Sequence, residues 1–337
     1  MMKSCFELVC LFGFSPHFLE IANFLDNLGI NCVVVFGPRQ KDAINCLSFP
    51  KSVEKLCLQS LDDDAFKQIK VQERESLGIS FGSPFIFTQE NIDCFGGRLI
   101  NSHGAPLPDF KGGGGFSWRI LQRDKRGSTL MHYVTTKIDE GACAYRRDFL
   151  FSDDERMPRD FEKRQLKEEC EHLVPWIKNI ILGKLLLEKQ SQSSKIDHVR
   201  GTYYPRLSSD LHGCIDWSLN LLDLQSFVLA FSNPYPGAYT FCKGLKVRLM
   251  DFRIERTCFV HPFAYGIVVD VGSENFMVSC NGGIISVMHD DFCCDNQSFS
   301  LKSGDRFFTP EPILQKAFAS RVFYTPNGLK TRDYSQT

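Results

Sequence analysis

Asn101, His103 and Asp139 bring a carboxamide, an imidazole and a carboxylate, the parts needed to move an acyl group onto an amine. Asn101 and His103 stand two apart in Asn101-Ser102-His103, and on an extended segment that spacing points both side chains to one face. Asp139 lies in Lys137-Ile138-Asp139-Glu140-Gly141, just after the strand-like run Thr129–Val134. Two neighbouring strand ends would therefore gather all three groups. Leu107-Pro108 and the glycine run Gly112–Gly115 fall between them. The run lacks the Gly-Lys-Ser/Thr ending of a phosphate loop and does not follow Gly-x-Gly-x-x-Gly, so it reads as a close-approach loop. The remaining histidines, His17, His132, His172, His198, His212, His261 and His289, have no comparable polar set in sequence.

The elements that must position these groups alternate between strand and helix. Residues 6–13 read as a buried strand. Ser15 caps and Pro16 opens a helix with Phe18, Ile21, Ala22, Leu25 and Leu28 on one face, and Gly29 closes it. Asn31–Phe36 is the next strand, which makes a β-α-β unit and predicts a parallel sheet with a right-handed crossover. Leu77–Ser80 and Gly97–Asn101 extend that sheet, and Phe116–Arg123 begins another helix. Ser152–Gln190 reads as helical, kinked or divided at Pro175, with Phe161, Leu166, Leu173, Ile177, Ile180, Ile181 and Leu185 as its apolar face. Gln190–Ser194 is a polar linker. Past residue 200 short β runs alternate with turns at Val247–Leu249, Gly266–Val271, Phe276–Ser279 and Ile284–Val287. Asn281-Gly282-Gly283 signals a hairpin. The expected architecture is α/β over 1–150, a helical segment and linker over 151–200, a smaller β-barrel or sandwich over 201–310, and a tail over 311–337.

A chain of 337 residues with 43% hydrophobic content is long enough for two packed domains. Its net charge of −1 gives no overall bias towards polyanions. The fourteen cysteines include no Cys-x-x-Cys, and Cys293-Cys294 are adjacent, which suits a metal poorly. They read as reduced, buried thiols of a cytoplasmic protein with no structural metal. Glu7 interrupts the apolar N-terminal run, which reads as a first strand rather than a signal sequence. No run reaches the roughly 18 apolar residues of a membrane span.

The ordered set Asn101-x-His103, Leu107-Pro108, Lys111-Gly112, Trp118, His132 and the Asp139-x-Gly141 turn resembles the signature of the folate-dependent formyltransferases. The resemblance runs continuously over residues 75–150. It continues more weakly in Gly201–Arg206 with Gly213–Trp217, and in the strand-turn-strand pattern of Pro262–Val287. It implies a Rossmann-like parallel sheet with flanking helices, then an OB-like C-terminal barrel. It implies 10-formyltetrahydrofolate as donor and an amine as acceptor. Asn101 would hold the formyl oxygen as it becomes an oxyanion. His103 would pass the proton from the attacking amine to the leaving nitrogen, and Asp139 would favour the imidazolium. Folate would lie against Phe85-Ile86-Phe87, Gly113 and Thr135-Thr136-Lys137-Ile138, although Phe85–Phe87 also reads as buried sheet. Departures from the family pattern are Ala105-Pro106 ahead of Leu107-Pro108, and Gly113 where a polar or basic residue is common.

Residues 201–337 hold 12 Lys+Arg against 13 Asp+Glu, which gives a tRNA no basic excess to bind. The Lys111–Trp118 loop and Tyr203-Tyr204-Pro205-Arg206 resemble the sugar N-formyltransferases more than the tRNA enzyme. The expected acceptor is a nucleoside diphosphate-linked dideoxy-amino sugar used in surface polysaccharides. Lys111, Trp118, Tyr203 and Arg206 would contact it, and a homodimer is expected, with neither nucleic acid nor membrane as partner. The rings of Trp118, Tyr203, Tyr204 and Trp217 could stack on a base or sugar, or fill the core. Methionyl-tRNA formyltransferase is the alternative. A non-catalytic folate-binding or polysaccharide-assembly protein of the same fold is the second.

Overall fold

The computed structural model describes residues 5–113, 115–187, 201–296 and 298–334. Leu8–Gly13 (β1), Asn31–Phe36 (β2), Glu54–Cys57 (β3), Ser76–Phe81 (β4) and Leu99–His103 (β5) run parallel in the order β3-β2-β1-β4-β5. β1 is buried along its whole length, as a central parallel strand covered on both faces must be. Phe18–Asn27 and Val174–Ile181 supply the apolar side chains on one face. Phe66, Phe85, Phe87, Ile92 and Phe95 fill the other.

The sheet is mixed rather than parallel throughout. The short strand Lys111–Gly112 (β6) leaves it, and Arg126–Tyr133 (β7) and Cys143–Leu150 (β8) return antiparallel on the β5 edge. The intervening helix Gly115–Leu121 buries Ile120 in the C-terminal core, and Ser117 Oγ donates to the Ala230 carbonyl at 2.8 Å. A helix committed there does not cover the sheet as a parallel crossover would.

Two helix boundaries differ from expectation. Ser15 Oγ accepts from the His17 N–H at 3.2 Å within a turn, and the helix begins at Phe18. The 152–190 segment is two helices, Pro158–Glu168 and Val174–Ile181, joined by a π-helical turn at Glu169–Leu173. Pro175 sits in the first turn of the second helix, where a missing N–H is harmless. Leu185 lies beyond it and is exposed. The Gln190–Ser194 linker lies outside the described residues.

Tyr203–Tyr204 (β9) pairs with β6, so the second half starts beside the glycine loop. Ala238–Cys242 (β10), Leu245–Leu249 (β11), Arg253–Thr257 (β12), Val268–Val271 (β13), Asn275–Cys280 (β14), Gly283–Met288 (β15) and Phe292–Cys294 (β16) follow. They form antiparallel sheets β10-β11-β16 and β12-β15-β14-β13. The Asn281-Gly282 turn joins β14 to β15 as its sequence predicts. One core merges these strands with Phe151 and Phe161 from the first half. Residues 311–334, expected as a tail, instead form the helix Glu311–Ala319 and the hairpin Ser320–Thr325 (β17) with Gly328–Asp333 (β18). The thiols also depart from expectation: Cys10, Cys32, Cys214, Cys242 and Cys280 are buried, but Cys5, Cys46, Cys57, Cys143, Cys170 and Cys293 are exposed. Among the described residues no helix is long and apolar enough to cross a membrane.

Candidate active site

Asn101 and His103 end β5, and the antiparallel register sets Asn101 opposite His132 of β7. Residues directly opposite across a ladder are side-chain neighbours. Ser80 Oγ donates to Asn101 Oδ1 at 2.7 Å, and Asn101 Nδ2 donates to His132 Nε2 at 3.2 Å. The carboxamide is thereby locked, with its second N–H left over.

Asp139 comes from the loop after β7. It holds a left-handed backbone, φ 54°, which Asp tolerates better than most residues. Gly141 permits the turn, because a Cβ there would overlap the Tyr133 carbonyl. Asp139 Oδ2 accepts from the Gly112 N–H at 2.8 Å and lies 3.6 Å from His103 Nδ1. Its Oδ1 lies 3.3 Å from His132 Nε2. Gly112 has φ 92°, and a Cβ there would press on the Tyr204 carbonyl at 2.5 Å. The glycine loop is thus a close approach that delivers one amide to the carboxylate.

Burial pushes the Asp139 carboxyl up, but His103, His132 and the Gly112 amide outweigh it and hold it well below the usual carboxylate range. His103 Nε2 donates to the Phe110 carbonyl at 2.7 Å. Burial pushes the His103 imidazole below its ordinary value, against the pull of Asp139. The pair therefore rests as neutral imidazole beside carboxylate. Nδ1 is left able to take a proton, and an opposite charge waits 3.6 Å away for the imidazolium. His132 Nδ1 donates to the Tyr133 carbonyl at 2.9 Å, which fixes its ring.

These groups open onto a cavity of about 770 Å³. Phe85, Ile86, Phe87, Gly113, Thr135, Thr136, Lys137, Ile138 and Arg206 all line it. Phe85–Phe87 is a loop rather than buried sheet: Phe85 and Phe87 turn into the core while Ile86 is 72% exposed. Three residues expected on the acceptor do not line the cavity. Lys111 Nζ pairs with Glu140 Oε1 at 3.1 Å, and the Trp118 indole donates to the Pro205 carbonyl at 2.7 Å against the Tyr204 ring. Tyr203 stands in β9, half exposed. Trp217 is core, stacked on Phe307.

Sequence reasoning passed over His132 and Ser80 as site residues. His132 stood in the motif order without a role, and what places it and Ser80 beside Asn101 is the strand register, which sequence alone does not supply. It also missed Gln165 and Glu169, which reach the cavity from the Pro158–Glu168 helix and the π turn, with Gln165 Nε2 donating to Glu169 Oε1 at 3.0 Å.

A locked carboxamide and a carboxylate-backed imidazole at the rim of an α/β sheet are groups that can stabilise an oxyanion and move a proton. The chain is similar to formyltransferases in its sequence and its fold. The model of the formyl transferase C-terminal domain matches residues 209–291. A methionyl-tRNA formyltransferase of Acetivibrio thermocellus is 26% identical over 209 residues, 61% of this chain and 63% of that one. The chain thus spans just under two thirds of that relative's length. A second, from Desulfotalea psychrophila, is 30% identical over 151 residues, 44% of each chain. Among solved structures, the sugar 3N-formyl transferase WlaRD, determined with dTDP and 5-N-formyl-THF, matches with TM-score 0.57 and 16% identity over 84% of this chain and 98% of its own. An N-formyltransferase from Helicobacter canadensis, in complex with folinic acid and dTDP-3-aminofucose, matches with TM-score 0.57 and 15% identity over 86% and 99%. The architecture is that of the formyltransferase fold.

Proposed function

We propose that this protein moves a formyl group from 10-formyltetrahydrofolate to the amine of a nucleotide-linked dideoxy-amino sugar. The observation that carries the transfer is the Asn101–His103–Asp139 set, with His132, at the wall of one cavity. The wall fits a folate donor. Among the described residues the backbone N–H groups of Ile86, Phe87, Thr136 and Ile138 donate to no other protein group, and all four residues line the cavity. Such amides suit a flat heterocycle with polar edges. The bound donor would supply an activated formyl carbon.

The spare Asn101 N–H holds the formyl oxygen as charge develops, worth a few kcal/mol in such sites. The amine nitrogen forms the new C–N bond and gives up its proton to His103 Nδ1. Asp139 opposes the charge so formed. His103 then returns the proton to the departing folate nitrogen as the old C–N bond breaks. The products are the N-formylated amine and tetrahydrofolate.

A near-neutral second half and a cavity of about 770 Å³ favour a small acceptor over a polyanion. Initiator tRNA is the second reading. It is favoured by the names of the curated relatives and by Arg321, Lys330 and Arg332, exposed together on the β17–β18 hairpin. The deciding experiment offers a panel of nucleotide-linked 3-amino and 4-amino dideoxy sugars, and charged initiator tRNA, at two salt concentrations. Turnover of a sugar with weak salt dependence supports the proposal. Salt-sensitive formylation of tRNA with no sugar turned over replaces it.

A further inference from the structure

Arg119 is fully buried, an unusual place for a guanidinium. It makes no ion pair among the described residues. Asp124, which acts on it at a distance, is engaged by Arg126 instead. Three of its five N–H donors go to backbone carbonyls: Nε to Gly115 at 3.1 Å, Nη1 to Arg126 at 2.9 Å and Nη2 to Gly104 at 3.0 Å. The guanidinium also lies over the rings of Phe116, Phe151 and Phe161, 5.1–5.5 Å from their centroids. Those three carbonyls belong to the three segments that build the site. Gly104 follows His103, Gly115 ends the glycine loop that reaches Asp139 through Gly112, and Arg126 starts the strand that carries His132.

A buried charge without a counter-charge is costly, and packing alone gives a core no reason to hold one. We propose that Arg119 is a positioning residue for the transfer, fixing the Gly104 carbonyl and so the bearing of His103, and adding a positive charge to the surroundings of the imidazole. The titratable and charged groups around His103 are Asp139, which favours its protonation, and His132 and Arg119, which oppose it, and the Phe110 carbonyl accepts from its Nε2. Burial is the largest influence holding His103 neutral, and Arg119 adds to it. Burial also pushes Arg119 itself down to about 9, so it stays charged at neutral pH. This proposal rests on the formyl-transfer reading of the site.

The test uses full-length Arg119→Lys and Arg119→Met, with folding checked by circular dichroism and thermal melts. The His103 ring is titrated by NMR, with its signal assigned by its loss in His103→Asn, and turnover is measured with the sugar panel. Lysine keeps the charge but reaches fewer carbonyls. Arg119→Lys should therefore keep the His103 midpoint, lose up to about 100-fold in kcat and leave the donor KM nearly unchanged. Arg119→Met should also raise the His103 midpoint, because a repelling charge is gone. Wild-type kcat in a folded variant, or an unmoved midpoint in Arg119→Met, overturns the proposal. So does failure of both variants to fold, which would make Arg119 a structural residue only. A raised midpoint in Arg119→Met, with wild-type protein that formylates nothing, would uphold the electrostatic coupling and sink the functional reading instead.

Discussion

Single residues decide the protonation states on which the proposed chemistry depends. Burial holds His103 neutral against the pull of Asp139, while His103, His132 and the Gly112 amide keep Asp139 ionised. Replacing His103 by Asn leaves a polar group near the Phe110 carbonyl but nothing to carry the proton. Turnover should fall by about 10²–10⁴ with folding intact, and near-normal turnover would remove His103 from the role. Asp139→Asn tests the pair through its pH profile. The carboxylate raises the His103 pKa, so its removal lowers it further below the ordinary value of about 6.5. A rate that needs neutral His103 should then keep its activity to lower pH, while the plateau drops because the base is weaker and the imidazolium unopposed. An acid limb that stays in place would show that Asp139 does not tune His103.

Elements fix where those residues meet. The β5–β7 pairing sets Asn101 beside His132, and the loop after β7 folds back so that Asp139 touches both halves of the site. The Pro158–Glu168 helix links this arrangement to the C-terminal strands. Phe161 is 1% exposed and stacks on Phe151 with centroids 3.8 Å apart, under the Arg119 guanidinium. Truncating Phe161 to Ala should cost about 3–5 kcal/mol, because a buried ring leaves a cavity that its neighbours fill only in part. Urea unfolding gives this as a lower midpoint at constant slope. A loss under 1 kcal/mol, on the same scale, would mean that the helix is not part of the shared core. The π turn at Glu169–Leu173 belongs to this scale too: it places Glu169 at the cavity just before Pro175 enters the next helix.

Across the whole molecule the question is how a remote part of an acceptor aids a reaction at its amine. In a nucleotide-linked sugar most binding energy lies in the nucleotide and diphosphate, away from the reacting nitrogen. That energy can hold the amine against the formyl carbon. The free amino sugar should therefore be a poor substrate beside its nucleotide-linked form, with kcat reduced as well as KM raised, although the reacting group is identical. Steady-state kinetics of the two forms decide this, and equal kcat values would mean that the nucleotide contributes nothing to positioning. Arg206 is, with Arg39 and Lys137, one of the cations at the cavity that such an acceptor would meet. It lines the cavity, packs over Gly113 and is bridged to Val322 of the C-terminal hairpin.

The sequence determined what local chemistry determines. Its two-residue spacing put Asn101 and His103 on one face, its continuous apolar run made β1 a central strand, and Asn281-Gly282 made a hairpin turn. Each of these follows from backbone geometry over a few residues. What it left open depends on pairings between distant segments. His132 had a place in the motif order but no role until the antiparallel register put it opposite Asn101, and Trp118 looked available until its N–H met the Pro205 carbonyl 87 residues on. The direction of β7, the fold of residues 311–334 and the burial of Arg119 are likewise set by long-range packing, whose free energy no local window of sequence contains.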